Sequence, residues 1–131
     1  MKRLLGEGLD ILRTIENKNE NLLYLENLGD FMYHNVITGI NAKKWYCLTC
    51  EAKAERDREK LYSIMEEMEV LLKSEIENAK EGIEIVKKDS SLGWEPTMEY
   101  LGDEWHIRWK IRHAEYVLDT ELARWKRAAK F

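Results

Sequence analysis

The stretch of residues 89–100 constrains the fold more strongly than any other part of the chain. It contains Pro96, the only proline, and it separates two long segments with helical periodicity. Proline fixes its own φ and biases the preceding residue toward an extended conformation, so a helix that approaches this stretch should end before it. Trp94, Met98 and Tyr100 are costly to expose to water. We therefore expect a connector that packs back on the helices it joins, with Trp94 largely buried.

Four amphipathic helices are predicted, because apolar side chains recur at spacings of three and four residues. They span residues 2–16, 21–53, 58–88 and 103–129. The stripe of the second helix consists of Leu25, Leu28, Met32, Val36, Ile40, Lys43, Cys47, Cys50 and Ala54, with Lys43 as its only polar member. The stripe of the third helix consists of Leu61, Met65, Met68, Leu72, Ile76, Ala79, Ile83 and Val86. We expect these stripes to face the core.

The fourth helix has two apolar stripes instead of one. The main stripe consists of Ile107, Ile111, Ala114, Leu118, Leu122 and Trp125. The second stripe consists of Trp105, Trp109 and Tyr116. Because a stripe is buried against a neighbour, we expect this helix to contact two partners.

The predicted fold class is all-α. Residues 1–131 should form a single helical-bundle domain, an antiparallel bundle of three long helices plus a shorter N-terminal helix. Asp57 and Asp103 precede the third and fourth helices, where an aspartate side chain can accept hydrogen bonds from the first free backbone N–H groups.

Composition and charge narrow the classes of function. The formal net charge is −4, and basic residues alternate with acidic ones, which disfavours nucleic-acid binding. No apolar run reaches the roughly 20 residues that span a bilayer. Glu7 and Asp10 interrupt the start of the chain, which therefore lacks the apolar core of a signal peptide. We expect a cytoplasmic protein without membrane contact, and the sequence leaves open whether it is a piece of a longer one.

Cys47 and Cys50 form a single C-x-x-C pair late in the second predicted helix. A zinc site would need two further ligands, and redox pairs of this kind use a helix N-terminus to lower the thiol pKa. We expect small thiols buried in the core, with metal binding and redox chemistry as alternatives. His106 and His113 are interpreted as surface or packing residues. No cofactor, metal site or catalytic group is predicted.

Two groups of residues are candidates for binding or for bridging helices. The tentative ligand-binding set consists of Trp94, Glu95, Glu99, Tyr100, Trp105 and Trp109. Aromatic faces beside carboxylates can stack on a sugar ring and accept its hydroxyl hydrogen bonds, although the same rings could simply close the end of the bundle. The second group is a polar and aromatic patch of Asn35, Thr38, Asn41, Lys43, Lys44, Trp45 and Tyr46. Its Asn and Thr side chains are expected to bridge helices.

The sequence from 89 to 100, with Leu92-Gly93-Trp94-Glu95-Pro96 at its centre, is followed by 104–112, which reads EWHIRWKIR. Together with 75–80, these segments resemble the C-terminal helical region of large bacterial proteins related to glycoside hydrolases. The resemblance covers the last two thirds of the chain. It implies a helical accessory domain beside a catalytic barrel that this sequence does not contain, so no catalytic residue is carried over.

Taken together, the sequence predicts a non-catalytic helical accessory or interaction module that is not an enzyme on its own. The expected partner is a protein, either a second copy or an adjacent domain of a carbohydrate-active enzyme. The alternative is a bundle that binds a small ligand, such as a sugar, between Trp94 and Trp109.

Overall fold

The computed structural model describes residues 1–89, 91–92, 94–95 and 100–130, with only the backbone at 94, 95, 100 and 101. The predicted all-α bundle is confirmed. Helix α1 spans Lys2–Thr14, α2 spans Glu20–Ala54, α3 spans Arg58–Lys88 and α4 spans Glu104–Tyr116. A π-helical turn at Val117–Leu122 leads directly into α5 at Ala123–Ala129, so the segment from α4 through α5 is the third long helix. Among the described residues, no helix is both long and apolar enough to cross a bilayer.

The connector between α3 and α4 contains a small antiparallel strand pair. Strand β1 (Trp94–Glu95) pairs with β2 (Tyr100–Leu101), and Trp94 lies opposite Leu101. Leu92, just before β1, is buried. The predicted burial of the Trp94 ring lies outside the described residues.

Side-chain caps define where the helices begin. Asn19 accepts a hydrogen bond from the Leu22 N–H at the start of α2. The predicted caps are both confirmed: Asp57 accepts from the Lys60 N–H at 3.1 Å, and Asp103 accepts from the His106 N–H at 2.9 Å. Each cap satisfies N–H groups that have no partner within the helix.

Helix α3 lies at the centre, and α2 and α4 pack against it from two sides. Hydrogen bonds join Asn27 to Ile85 and Asn41 to Glu75, so residue numbers rise along α2 as they fall along α3. The two helices are therefore antiparallel, and α1 packs on the outer side of α2. There the buried side chain of Leu9 meets Gly29, where a Cβ would lie only 2.9 Å from the Leu9 Cδ2. Gly29 therefore permits a close approach of helices.

The apolar core lies between α3 and the α4–α5 segment and has two clusters. The first comprises Ile76, Ala79, Ile83, Ile111 and Ala114. The second comprises Ile64, Met65, Met68 and Leu122. The predicted stripe of the third helix is thus confirmed at its central positions.

The predicted stripe of the second helix was wrong. Leu25, Met32 and Ile40 are exposed, because α2 presents a different face to α3. That face carries Asn27, His34, Thr38 and Asn41, followed by Trp45 and Leu48. It is polar in its centre because α3 supplies hydrogen-bond partners there.

Two predictions for the fourth helix were also wrong. Trp125 is 44% exposed instead of lying in the core, and the side chain of Lys126, only 18% exposed, faces α3. A π turn contains more residues per turn than an α-helix and therefore shifts every later position around the axis. The second stripe is not buried against a neighbour, since Trp105, Trp109 and Tyr116 are exposed. Helix α4 does contact two helices, α3 and α2, but it reaches α2 through the Lys110 ammonium, which donates to Thr38 at 3.2 Å.

Candidate functional site

A buried carboxylate stands at the centre of the interface of α2, α3 and α4. Glu75 is only 9% exposed, and its Oε1 accepts hydrogen bonds from Thr38 at 2.7 Å and from Lys110. Its Oε2 accepts from the Asn41 amide at 2.7 Å. One acidic side chain of α3 thus joins two residues of α2 to one of α4. The predicted bridging role is confirmed for Thr38 and Asn41 but is wrong for Asn35, which donates to the Phe31 backbone oxygen of its own helix.

The ionised form of Glu75 is favoured despite its burial. Burial is the largest single influence and raises the pKa of Glu75, but hydrogen bonds from Lys110, Thr38 and Asn41 together bring the pKa below its ordinary value. The carboxylate therefore remains charged at neutral pH and forms an ion pair with Lys110.

His34 and Asn78 extend this polar network toward the connector. The Asn78 Oδ1 lies 2.8 Å from the His34 Nδ1, and the Asn78 amide donates to the His34 backbone oxygen and to Thr38. These bonds place the proton of neutral His34 on Nδ1 and leave Nε2 as an acceptor, 3.8 Å from Glu81.

A groove of about 310 Å³ lies between α2 and α4, above α3. Its polar wall includes His34, Thr38 and Lys110, and its apolar part includes Phe31 and Trp109. This combination of a few convergent polar groups with aromatic side chains is typical of sites for small molecules, and the volume is at the lower end of their usual range.

The outer surface of α4 carries an exposed row of aromatic and arginine side chains. Trp105, Trp109 and Tyr116 are 62%, 55% and 55% exposed. Arg108 and Arg112 lie between them on the same face, at helical spacings of three and four. We call these five residues the Trp–Arg face.

Neighbouring side chains hold parts of the Trp–Arg face in place. The Trp109 ring stacks on His113, with centroids 5.5 Å apart and an interplanar angle of 3°. Arg108 donates to Glu104 at 2.8 Å. Within the part of the chain that the structure describes, Arg112 has no carboxylate partner.

The structure brings together only part of the predicted ligand-binding set. Trp105 and Trp109 lie one turn apart on α4, but only Trp109 also lines the groove. The side chains of Trp94, Glu95, Glu99 and Tyr100 lie outside the described residues. Sequence reasoning missed His34, Glu75, Asn78 and Lys110. The signal that could have indicated a polar interface is the row of polar residues on one face of α2, namely Asn27, His34, Thr38 and Asn41.

The cysteine prediction was wrong. Both Cys47 and Cys50 are free and exposed, because they share the outward face of α2 with Met32. In residues 1–89 and 100–130 no group of three or more His, Cys, Asp or Glu side chains is arranged to hold a metal ion. His106 lies at the surface, where its Nδ1 is 2.8 Å from Asp103.

No protein-family model, curated protein or solved structure matches this chain.

Proposed function

We propose that the chain is a non-catalytic helical interaction module whose binding surface is the Trp–Arg face. The observation that carries the proposal is the exposure of three large aromatic rings in one row along α4. Trp, Tyr and Arg are the residue types most enriched among those that dominate the energy of protein interfaces. Exposed apolar patches rimmed by charge mark interaction sites more often than plain surface.

A partner that covers this face would gain from both kinds of side chain. The rings offer a large apolar area that loses little conformational entropy on binding. Arg112, which has no carboxylate partner in the described part of the chain, can pair with an acidic group. The partner that we propose is a second copy of the chain or an adjacent domain.

Sedimentation velocity over a range of concentrations tests this proposal. We expect wild type to self-associate, or to bind the adjacent domain when that domain is added. Trp105→Glu with Tyr116→Glu should abolish the association. Tyr46→Glu is a matched control, since Tyr46 is an exposed aromatic residue of α2. The proposal would be contradicted if wild type stayed monomeric at every concentration and did not bind the adjacent domain. It would also be contradicted if the Trp105 and Tyr116 double variant and the Tyr46 variant lost association equally.

The cellular context remains a proposal based on the sequence. The resemblance at residues 89–100 supports a place beside a carbohydrate-active catalytic domain. Sequencing the gene tests this, because the same open reading frame should then also encode a catalytic domain. Exposed free thiols at Cys47 and Cys50 support a cytoplasmic location, because reducing compartments preserve thiols.

A second candidate function is the binding of a sugar in the groove between α2 and α4. It is favoured by the Trp109 ring beside the polar groups of His34 and Lys110, which suit the stacking and hydroxyl contacts of a sugar. Titration with a glycan panel, followed by tryptophan fluorescence, tests it. Trp109→Ala should abolish binding, whereas Trp105→Ala, outside the groove, should not. If no glycan of the panel changed the tryptophan fluorescence, this candidate function would be ruled out.

A further inference from the structure

A second concave site lies on the opposite end of the long helices, where α3 faces α5. It is a pocket of about 420 Å³ around Tyr62, beside the π-helical turn. We call it the Tyr62 pocket. None of its lining residues belongs to the Trp–Arg face or to the groove between α2 and α4.

The π turn creates this pocket by changing which residues of α5 face α3. An uninterrupted α-helix would direct Trp125 inward after Leu122, whereas the wider turn directs Lys126 inward. Lys130 follows one turn later on the same face. Both ammonium groups lie 5.1 Å from the centroid of the Tyr62 ring. Segments of π-helix occur frequently at functional sites.

Positive charge is concentrated in the Tyr62 pocket. Four cationic side chains line it, namely Lys73, Lys126, Arg127 and Lys130. The carboxylates in its lining are Glu69 and Asp119, so the lining carries a net charge of +2 in a chain of net charge −4. The pocket thus has the opposite sign to the protein as a whole.

Carboxylates pair with two of the four cations, Lys73 and Lys126. Glu69 accepts hydrogen bonds from Lys73 at 2.6 Å and from Lys126 at 2.8 Å, and the Glu66 carboxylate lies 3.9 Å from the Lys126 ammonium. Within residues 1–89 and 100–130, Arg127 and Lys130 have no ion-pair partner. The cations left without a carboxylate are therefore Arg127 and Lys130, which lie three residues apart, and a bound anion could pair with both.

We propose that the Tyr62 pocket binds a small phosphomonoester. A phosphate dianion matches the net charge of the lining, and the planar guanidinium of Arg127 can donate two parallel hydrogen bonds to phosphate oxygens. Lys130 supplies a second positive charge. The pocket is larger than a phosphate group, and the side chains of Leu118 and Ala123 give it an apolar wall for the organic part of the ligand.

Isothermal titration calorimetry at low salt with phenyl phosphate tests the proposal. We expect saturable binding, weaker binding of inorganic phosphate, and none of phenol. Arg127→Gln with Lys130→Gln should weaken phenyl phosphate binding at least tenfold. This variant should remain folded, since both residues are exposed and neither forms an ion pair within the described structure, and its circular dichroism spectrum verifies that.

The matched control is Lys53→Gln with Arg124→Gln. It removes one lysine and one arginine charge from exposed positions that lie outside the pocket and outside the Trp–Arg face. We expect it to change the affinity less than twofold. Equal weakening by both double variants would show that only the general field of the protein attracts the anion, and would overturn the proposal. Failure to saturate, or phenol binding as tightly as phenyl phosphate, would also overturn it.

Discussion

Replacement of Glu75 by leucine should destabilise the bundle by about 3 kcal/mol. The buried carboxylate accepts hydrogen bonds from Thr38, Asn41 and Lys110. Leucine leaves the Thr38 hydroxyl and the Asn41 amide without that acceptor, and each unsatisfied buried donor costs about 1–3 kcal/mol. Water can replace the bond to Lys110, whose side chain is 39% exposed. Burial of the leucine side chain offsets about 1–2 kcal/mol of the loss.

Glutamine at the same position should cost only about 1 kcal/mol. Its amide oxygen can still accept from Thr38 and Lys110, and Asn41 can turn its own amide so that its oxygen accepts from the new NH₂ group. The loss is then mainly the charge of an ion pair that is partly open to water. The order of stability should therefore be wild type, Glu75→Gln, Glu75→Leu.

Urea denaturation followed by tryptophan fluorescence measures these differences, and the dependence on urea concentration should stay that of wild type. The control is Glu77→Leu on the exposed side of α3, where Glu77 is 68% exposed and pairs with Lys80. It should change the free energy of unfolding by no more than about 0.5 kcal/mol. If Glu75→Leu matched that control, the hydrogen bonds of the central network would contribute nothing to stability, and the reasoning would be refuted.

Three further results are expected. Hydrogen bonds from Lys126 and Lys73 lower the pKa of Glu69 from 4.5 to about 2. The contribution of ionised Glu69 to the free energy of unfolding is therefore complete above about pH 4.5 and is lost as the pH falls toward 2. When the free energy of unfolding is measured as a function of pH, Glu69→Gln should lose less stability than wild type over this range. Gly39→Ala should raise the thermal midpoint, because a Cβ there meets no atom within 4 Å, and Gly29→Ala should lower it, because the new methyl would meet buried Leu9; equal shifts would contradict this. Cys47→Ser with Cys50→Ser should leave the urea midpoint unchanged, and both wild-type thiols should react rapidly with a disulfide reagent, since both are exposed; slow reaction would indicate burial.

The architecture was predictable where one physical signal determined it. The third helix is amphipathic along its whole length, and residues such as Met68 and Ile76 are buried as the periodicity indicates. The caps at Asp57 and Asp103 follow from the chemistry of a short acidic side chain before a helix. These signals are local and need no knowledge of the neighbouring helices.

The face of α2 could not be predicted from apolar periodicity alone. Its contact with α3 is polar at His34, Thr38 and Asn41, and such residues are stable inside only when partners are present. Glu75 lies 37 residues from Thr38 along the chain, so no short stretch of sequence contains both members of the pair. The apolar stripe through Leu25 and Met32 therefore indicated the wrong face. The better signal was the recurrence of hydrogen-bonding residues every seven positions, at Asn27, His34 and Asn41.

The buried face of α5 also differs from the one that apolar periodicity predicts. Apolar periodicity placed Trp125 in the core because it assumed a uniform turn, and the π segment at Val117–Leu122 placed Lys126 there instead. A lysine facing inward must retain a carboxylate partner, which Glu69 provides at 2.8 Å. The π turn thus places a lysine ammonium, instead of an apolar side chain, against the Tyr62 ring, and it leaves Trp125 exposed on the outer face of α5. A paired lysine contributes less to stability than a buried tryptophan, and the cation that replaces the tryptophan is the group that the proposed anion site requires.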